Sequence, residues 1–266
     1  MIALDSASTF LFVPGDRRDR FGKAAASGAD VVVLDLEDAV APGDKDAARE
    51  DARGWLAAGG RGVVRINAAG TKWFEADAEL VRAAQAPVML PKTEQPAVLA
   101  ELTGLPVIAL VETALGVENA RAFAAAPGVA RLAFGSVDLA AQLGVAHDDR
   151  AAMDPARSRL VLASAAAGLP APIDGVTTRL DDLARAGEDA RRARRLGFGG
   201  KLCVHPRQVE PVRTAFAPTT SELAWARRIV KTAGLSAAAI DGQLVDKPVV
   251  DRARRLLEAH ARGEIR

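Results

Sequence analysis

The stretch VVVLDLED, Val31 to Asp38, decides the fold. Four apolar residues in a row, with no polar alternation, read as a short strand buried on both faces, the kind a parallel sheet needs. Acids crowd its end. Three more stretches are built the same way: GVVRIN (Gly62 to Asn67), PVIALVET (Pro106 to Thr113) and RLAFGSVD (Arg131 to Asp138). Each delivers a charge at or just beyond its last apolar residues, so that Glu37, Arg65, Glu112 and Asp138 all stand at strand ends. Burying three carboxylates and a guanidinium there is costly unless they pair, bind metal or do chemistry. In a closed parallel barrel the C-terminal strand ends carry the active site, and the pattern therefore asks for a function.

Working outward, apolar runs alternate with Ala/Arg/Glu-rich stretches of helical spacing. Strands are predicted at Thr9 to Val13, Val31 to Leu36, Val63 to Ile66, Pro87 to Leu90, Pro106 to Val111, Arg131 to Phe134, Leu169 to Ile173 and Gly199 to Val204. Helices are predicted between and after them, among them Lys45 to Ala57, Phe74 to Ala84, Asp154 to Ala167 and Asp181 to Leu196. This alternation favours a (β/α)8 TIM barrel over an open doubly wound sheet. After Pro218 the pattern changes to two amphipathic helical stretches, Ser221 to Thr232 and Pro248 to Ala261, with no further strand expected between them. The expected organisation is a barrel domain over residues 1–218 and a helical extension over 219–266 that packs on a neighbouring subunit or caps the barrel.

Composition excludes several functions. The chain has 266 residues, and its net charge of +1 is spread among both signs, so no basic face is set up for nucleic acid or an anionic membrane. No apolar run reaches the length of a membrane span, and the start, MIALDSASTFLFVPGD, has no signal-peptide pattern. A cytoplasmic protein is expected. The single cysteine, Cys203 in KLCVHP, cannot form an internal disulfide and reads as a packed thiol.

Glu112 and Asp138 come from different strand ends with no His or Cys nearby, and such a pair suits a hard, oxygen-preferring ion such as Mg2+ that keeps water or substrate ligands. The competing reading is helix N-capping, since each stands where a strand hands over to a helix. Gly135 and Ser136 in FGSVD lead into a helix whose free N–H groups can hold a carboxylate or phosphate. Arg65 would grip a carboxylate or steady an oxyanion at the mouth, or form a buried ion pair with an acid such as Glu37. Asp35 shares the face of Glu37, whereas Asp38 points the other way and reads as a cap of the following turn. Arg17 in VPGDRRDRF meets an anionic substrate tail or simply starts a solvated helix. Lys92 in MLPK would form a Schiff base only with a lowered pKa. His205 reads as a loop residue near the mouth.

The segments FLFVPGDRRDRFGKA, GADVVVLDLEDAVAPGDKDAAR, VVRINAAGT, VMLPKTE, ALVETALGV, LAFGSVDLAAQLG, RRLGFGGKLCVHPRQV and IDGQLVDKPVV resemble, in order and over nearly the whole chain, the citrate lyase beta-subunit family. That family sits within the broader HpcH/HpaI aldolase and malyl/citramalyl-CoA lyase group. The resemblance implies a TIM barrel, Mg2+ and reversible cleavage of a 3-hydroxy-acyl thioester into a 2-oxo acid and an acyl thioester. It also implies that Glu112 and Asp138 are the metal carboxylates, that Arg65 stabilises the enolate, that Glu37 supports the site, and that the Gly135 and Ser136 amides hold the oxo-acid carboxylate.

In the related lyases an Asp near the C-terminus reaches the active site of the next subunit, and Asp246 in QLVDKP stands at that place. No helix cap is evident for it in the sequence. A homo-oligomer, a trimer or a dimer of trimers, is therefore expected. The carrier would be coenzyme A or acyl carrier protein. Two rivals share the carboxylate pair: a metal-dependent aldolase acting on free pyruvate-type substrates, and a subunit that works only within a larger lyase complex.

Overall fold

Eight parallel strands close into a barrel in sequence order, the last pairing with the first through Phe10 and Leu202, in a computed structural model that describes residues 2–232, 239–240 and 243–264. The elements run β1 (Thr9–Pro14), α1 (Arg18–Ala25), β2 (Val31–Asp35), α2 (Lys45–Ala57), β3 (Val63–Arg65), α3 (Phe74–Ala84), β4 (Val88–Leu90) and a 3-10 segment Pro96–Leu102. They continue with β5 (Val107–Val111), the short helices α4 (Ala114–Glu118) and α5 (Ala120–Ala124), β6 (Val129–Phe134), α6 (Ser136–Leu143), α7 (Arg150–Ala166), β7 (Ile173–Asp174), α8 (Leu183–Leu196) and β8 (Gly200–Cys203). A 3-10 turn, Pro206–Gln208, and α9 (Val209–Phe216) follow. The predicted (β/α)8 barrel is the observed fold.

Side chains alternate across each strand. Val31 and Val33 of β2, Val63 of β3, Met89 of β4, Ile108 and Leu110 of β5, Ala133 of β6, Ile173 of β7 and Leu202 of β8 share one buried cluster with Phe10. The floor of that core holds a charge. Arg131, 1% exposed, donates to the carbonyls of Leu4, Ala7 and Ala171 and lies over the Phe10 ring. Burial lowers its pKa to about 10, which leaves it charged at neutral pH.

Two predicted elements move. The seventh strand was expected over Leu169 to Ile173 but forms only at Ile173–Asp174, because Pro170 and Pro172 have no N–H to give the ladder. The helix expected from Asp154 begins earlier, capped by the Asp149 side chain, and carries Pro155 inside it. The additional helix α6 starts directly after β6.

Asp174 and Lys201 pair in register on the outward faces of β7 and β8. Arg157 of α7 donates to Asp174 at 2.8 Å, and Lys201 Nζ lies 3.3 Å from the same carboxylate. Burial by itself would raise the Asp174 pKa, but Lys201 and Arg157 outweigh it and hold it below the ordinary value. Replacing Asp174 by Asn leaves two buried cations sharing no anion, and is expected to cost about 3–5 kcal/mol at neutral pH. Since the folded carboxylate ionises more readily than the unfolded one, that advantage is full above about pH 4 and fades as pH falls below it. Urea melts of both proteins across that range measure the gap; a constant gap would refute the ion-pair account.

A second compact unit begins at Phe216. It contains α10 (Thr220–Thr232), a two-stranded antiparallel hairpin of β9 (Ala239–Ile240) and β10 (Gln243–Leu244), and α11 (Lys247–Glu264). The hairpin corrects the expectation of no strand there. Residues 233–238 and 241–242 of the linking stretch lie outside the described residues. Ala226 and Ile229 of α10 bury against Val245 and Ala253, and Arg252 lies over Trp225.

Candidate active site

Continuing the inward column of each strand by two residues brings Asp35 after Val33, Arg65 after Val63 and Glu112 after Leu110 to the C-terminal mouth of the barrel. They line a cavity of about 400 Å³ together with Phe12, Phe134, Ser136 and Asp138. Glu37 stands beside them, 5% exposed.

Arg65 is clamped in place. Its Nε donates to Asp35 Oδ1 at 2.7 Å and its Nη2 to Asp35 Oδ2 at 2.5 Å, while Nη1 lies 3.1 Å from Glu37 Oε2. The guanidinium covers the Phe12 ring at 4.7 Å. Burial disfavours its charge, but Asp35 and Glu37 more than offset this and raise its pKa above the ordinary arginine value. The Glu37 pairing read from the sequence is present, and Asp35 joins it as the stronger, bidentate partner. The bidentate fork fixes the guanidinium plane and leaves Nη1 on the side of Glu37.

Glu112 is 4% exposed and accepts from the Lys92 amide at 2.8 Å. Burial, reinforced by Glu37, pushes its carboxyl up to about 8. The capping reading fails for Glu112, because Thr113 caps α4 by accepting from Gly116 N–H at 3.0 Å. Asp138 lies in the first turn of α6, and its carboxylate faces Lys92 Nζ at 3.1 Å. Glu37 is raised as well, mainly by burial, although Arg65 and Lys92 pull it down.

This set of close, mutually repelling carboxylates, with Glu112 buried and Asp138 partly exposed, fits a divalent hard cation. Among the described residues no group of three or more His, Cys, Asp or Glu has metal-binding geometry. A two-carboxylate site accords with Mg2+, which keeps several waters and takes one or two protein carboxylates.

Lys92, read from the sequence only as a Schiff-base candidate, is central to the site as a partner of its carboxylates. Its ammonium donates to Glu37 Oε1 at 2.8 Å and lies 3.1 Å from Asp138 and 4.0 Å from Glu112. Burial opposes its charge, but Glu37 and Glu112 outweigh burial and raise its pKa, which rules against a Schiff-base lysine. Its backbone is left-handed, φ 48°, at a cost of roughly 1–2 kcal/mol for a residue with a Cβ. The signal was present in MLPK, a lysine directly after a strand, but the carboxylates it meets come from three other elements.

Gly135 is required by close approach: a Cβ there would lie 2.3 Å from Glu112 Cβ and 2.5 Å from its Oε2. Its amide already donates to the Val111 carbonyl at 2.9 Å. The amides of Ser136, Val137 and Asp138 open α6 and have no partner within the helix. Ser136 Oγ is buried and has no hydrogen-bond partner among the described residues.

Arg17, His205 and Cys203 do not line the cavity, whereas Asp38 does. Arg17 precedes α1 and pairs with Asp19 at 3.3 Å, as a solvated helix start would. Asp38 does not cap a turn; it lines the cavity rim, 3.8 Å from Arg65 and 3.9 Å from Lys92. His205 accepts from Arg207 N–H at the start of a 3-10 turn. Cys203 is fully buried, and burial drives its thiol up to about 12, so it is inert. Asp246 belongs to the second unit and does cap a helix: its Oδ1 accepts from Val249 N–H at 3.3 Å at the start of α11.

Residues 8–206 match the family described as HpcH/HpaI aldolase/citrate lyase. The citrate lyase subunit beta-like protein of Mycobacterium tuberculosis is 44% identical over 257 residues, covering 93% of each chain. A (3S)-malyl-CoA thioesterase of Cereibacter sphaeroides is 33% identical over 263 residues, covering 93% of this chain and 92% of its own. The crystal structure of protein CitE from M. tuberculosis in complex with magnesium, acetoacetate and coenzyme A superposes with a TM-score of 0.87 at 40% identity, covering 97% of this chain and all of that one.

Proposed function

Since the chain belongs to the HpcH/HpaI aldolase/citrate lyase family, we propose that it is a Mg2+-dependent carbon–carbon lyase that reversibly splits a 3-hydroxy-acyl thioester into a 2-oxo acid and an acyl thioester. The observation that carries this is that two kinds of group line one cavity: the carboxylates Glu112 and Asp138, and the clamped Arg65. The relative crystallised with magnesium, acetoacetate and coenzyme A supports it.

Glu112 and Asp138 would hold the Mg2+. When bound, the ion supplies Lewis-acid polarisation of the oxo-acid oxygens. The free amides at the start of α6 and the unpartnered Ser136 hydroxyl are placed to take the substrate carboxylate, with Gly135 letting Glu112 approach them. Arg65, held by Asp35, offers Nη1 to the thioester oxygen as negative charge develops on it in the enolate. Glu37 holds the second face of that guanidinium. Arg17, exposed just beyond β1 and outside the cavity, would meet an anionic tail of the substrate.

The second unit completes the proposal. Asp246 has one carboxylate oxygen on the Val249 amide, and its other oxygen serves as the base that takes the α-proton of the acyl thioester in the condensation direction, acting in the site of a neighbouring copy. The protein is then a homo-oligomer, a trimer or a dimer of trimers assembled through the extension over residues 219–266, and works in the cytoplasm. Mixing Asp246→Asn with Glu112→Ala, each inactive alone, is expected to restore partial activity. No recovery in a mixed oligomer verified by mass would refute the shared site.

The deciding assay presents malyl-, citramalyl- and citryl-CoA, their carrier-protein analogues, and the free hydroxy acids, each with Mg2+ and with chelator. Release of a 2-oxo acid from a thioester, with the thioester bond retained in the other product, is the expected result. Cleavage of free hydroxy acids alone would establish the pyruvate-type aldolase in its place, and free thiol without oxo acid would establish a thioesterase. Activity appearing only with added partner subunits would make the chain one part of a larger lyase.

A further inference from the structure

The carboxylate cage carries its own cation. Lys92 Nζ sits within 3.1 Å of both Glu37 and Asp138 and 4.0 Å from Glu112, so it already occupies the negative potential that Glu112 and Asp138 would present to a divalent ion. Two further observations show that the lysine is built into this place. Its backbone adopts a left-handed conformation that a Cβ disfavours, and in doing so turns the Lys92 amide onto Glu112 while the side chain of the same residue reaches Glu37 and Asp138. Glycine would adopt that backbone without strain but could not supply the ammonium.

We infer that Lys92 is a resident counter-cation that competes with the metal for Asp138 and so sets the affinity of the site for Mg2+. The inference rests on the assignment of Glu112 and Asp138 as the metal ligands. Like charges at this range in a half-buried site repel, so the ammonium at Asp138 opposes a dication bound to the same carboxylate. The side chain has somewhere to go. It is 39% exposed on a flexible stem, and its bond to Glu37 can persist while it leaves Asp138. The competition keeps the three carboxylates from repelling one another when the ion is gone, at the expense of weaker metal binding.

The test is calorimetric titration of chelator-treated full-length protein with Mg2+ alone, for the parent, Lys92→Met, Lys92→Arg and Glu112→Gln. Lys92→Met removes the charge and keeps the stem, and is expected to bind Mg2+ roughly tenfold more tightly or better. Lys92→Arg keeps a cation and should stay within a few-fold of the parent. A second readout is melting temperature: chelator-treated Lys92→Met should melt below the parent, and added Mg2+ should raise it by more than it raises the parent. Equal or weaker Mg2+ binding by a folded Lys92→Met would overturn the inference while leaving the metal assignment standing. Failure of the parent to bind Mg2+, or unchanged binding in Glu112→Gln, would overturn both.

Discussion

Glu112→Gln is expected to lose measurable Mg2+ binding and, with it, turnover, while the protein without metal becomes no less stable than the parent. The first half follows from the donor set, since an amide oxygen replaces one of the two carboxylates assigned to the ion. The second half follows from the position of the Glu112 carboxyl at about 8, against an ordinary value of 4.5. A carboxyl whose folded pKa is raised binds more protons in the folded than in the unfolded chain. Its contribution is therefore intact below the unfolded value and is lost as pH rises from about 5 towards 8. Glutamine is neutral throughout and can still accept from the Lys92 amide, so the variant should gain on the chelated parent across that interval. Asp138→Asn, at a half-exposed position, should weaken binding without the gain in stability. Unchanged Mg2+ heats in both variants would remove the metal from these two residues.

Arg65→Lys is expected to lower turnover about a hundredfold or more, the scale of losing one oxyanion donor in a buried site. Lysine keeps the charge but not the planar fork, and it cannot span both Asp35 oxygens while presenting another N–H to the cavity. The loss should fall on kcat more than on KM, since the interaction is made to charge that develops during reaction. Near-parental kcat in the lysine variant would reduce Arg65 to a structural partner of Asp35.

The strand-end charges were legible because they obey a local rule. Asp35, Arg65 and Glu112 each extend an alternate column of apolar residues by one further step, and parity along a strand is a property of consecutive residues. The capping alternative for Glu112 could not be decided in the same way: the cap on α4 proved to be its neighbour Thr113, and both readings fit the letters VET. Asp246 shows the reverse error. A cap that went unrecognised in QLVDKP is made to Val249, three residues on.

What the sequence by itself determined was the architecture, through the repeated alternation of doubly buried runs and amphipathic helices, which only a layered α/β arrangement can bury. It also brought Arg65 and Glu112 to the mouth through strand parity, but not Asp38, which was read as a cap and lines the rim. Their partners were decided by the tertiary structure: Arg65 against Asp35 across thirty positions, Lys92 against Glu37 across fifty-five and Glu112 across twenty. Barrel closure brings these residues together, and the choice among nearby acids is made by distances of a few tenths of an ångström in a buried site. There Coulomb and desolvation terms are large and nearly cancel, so the sign of their difference is a property of the assembled mouth that no single strand contains.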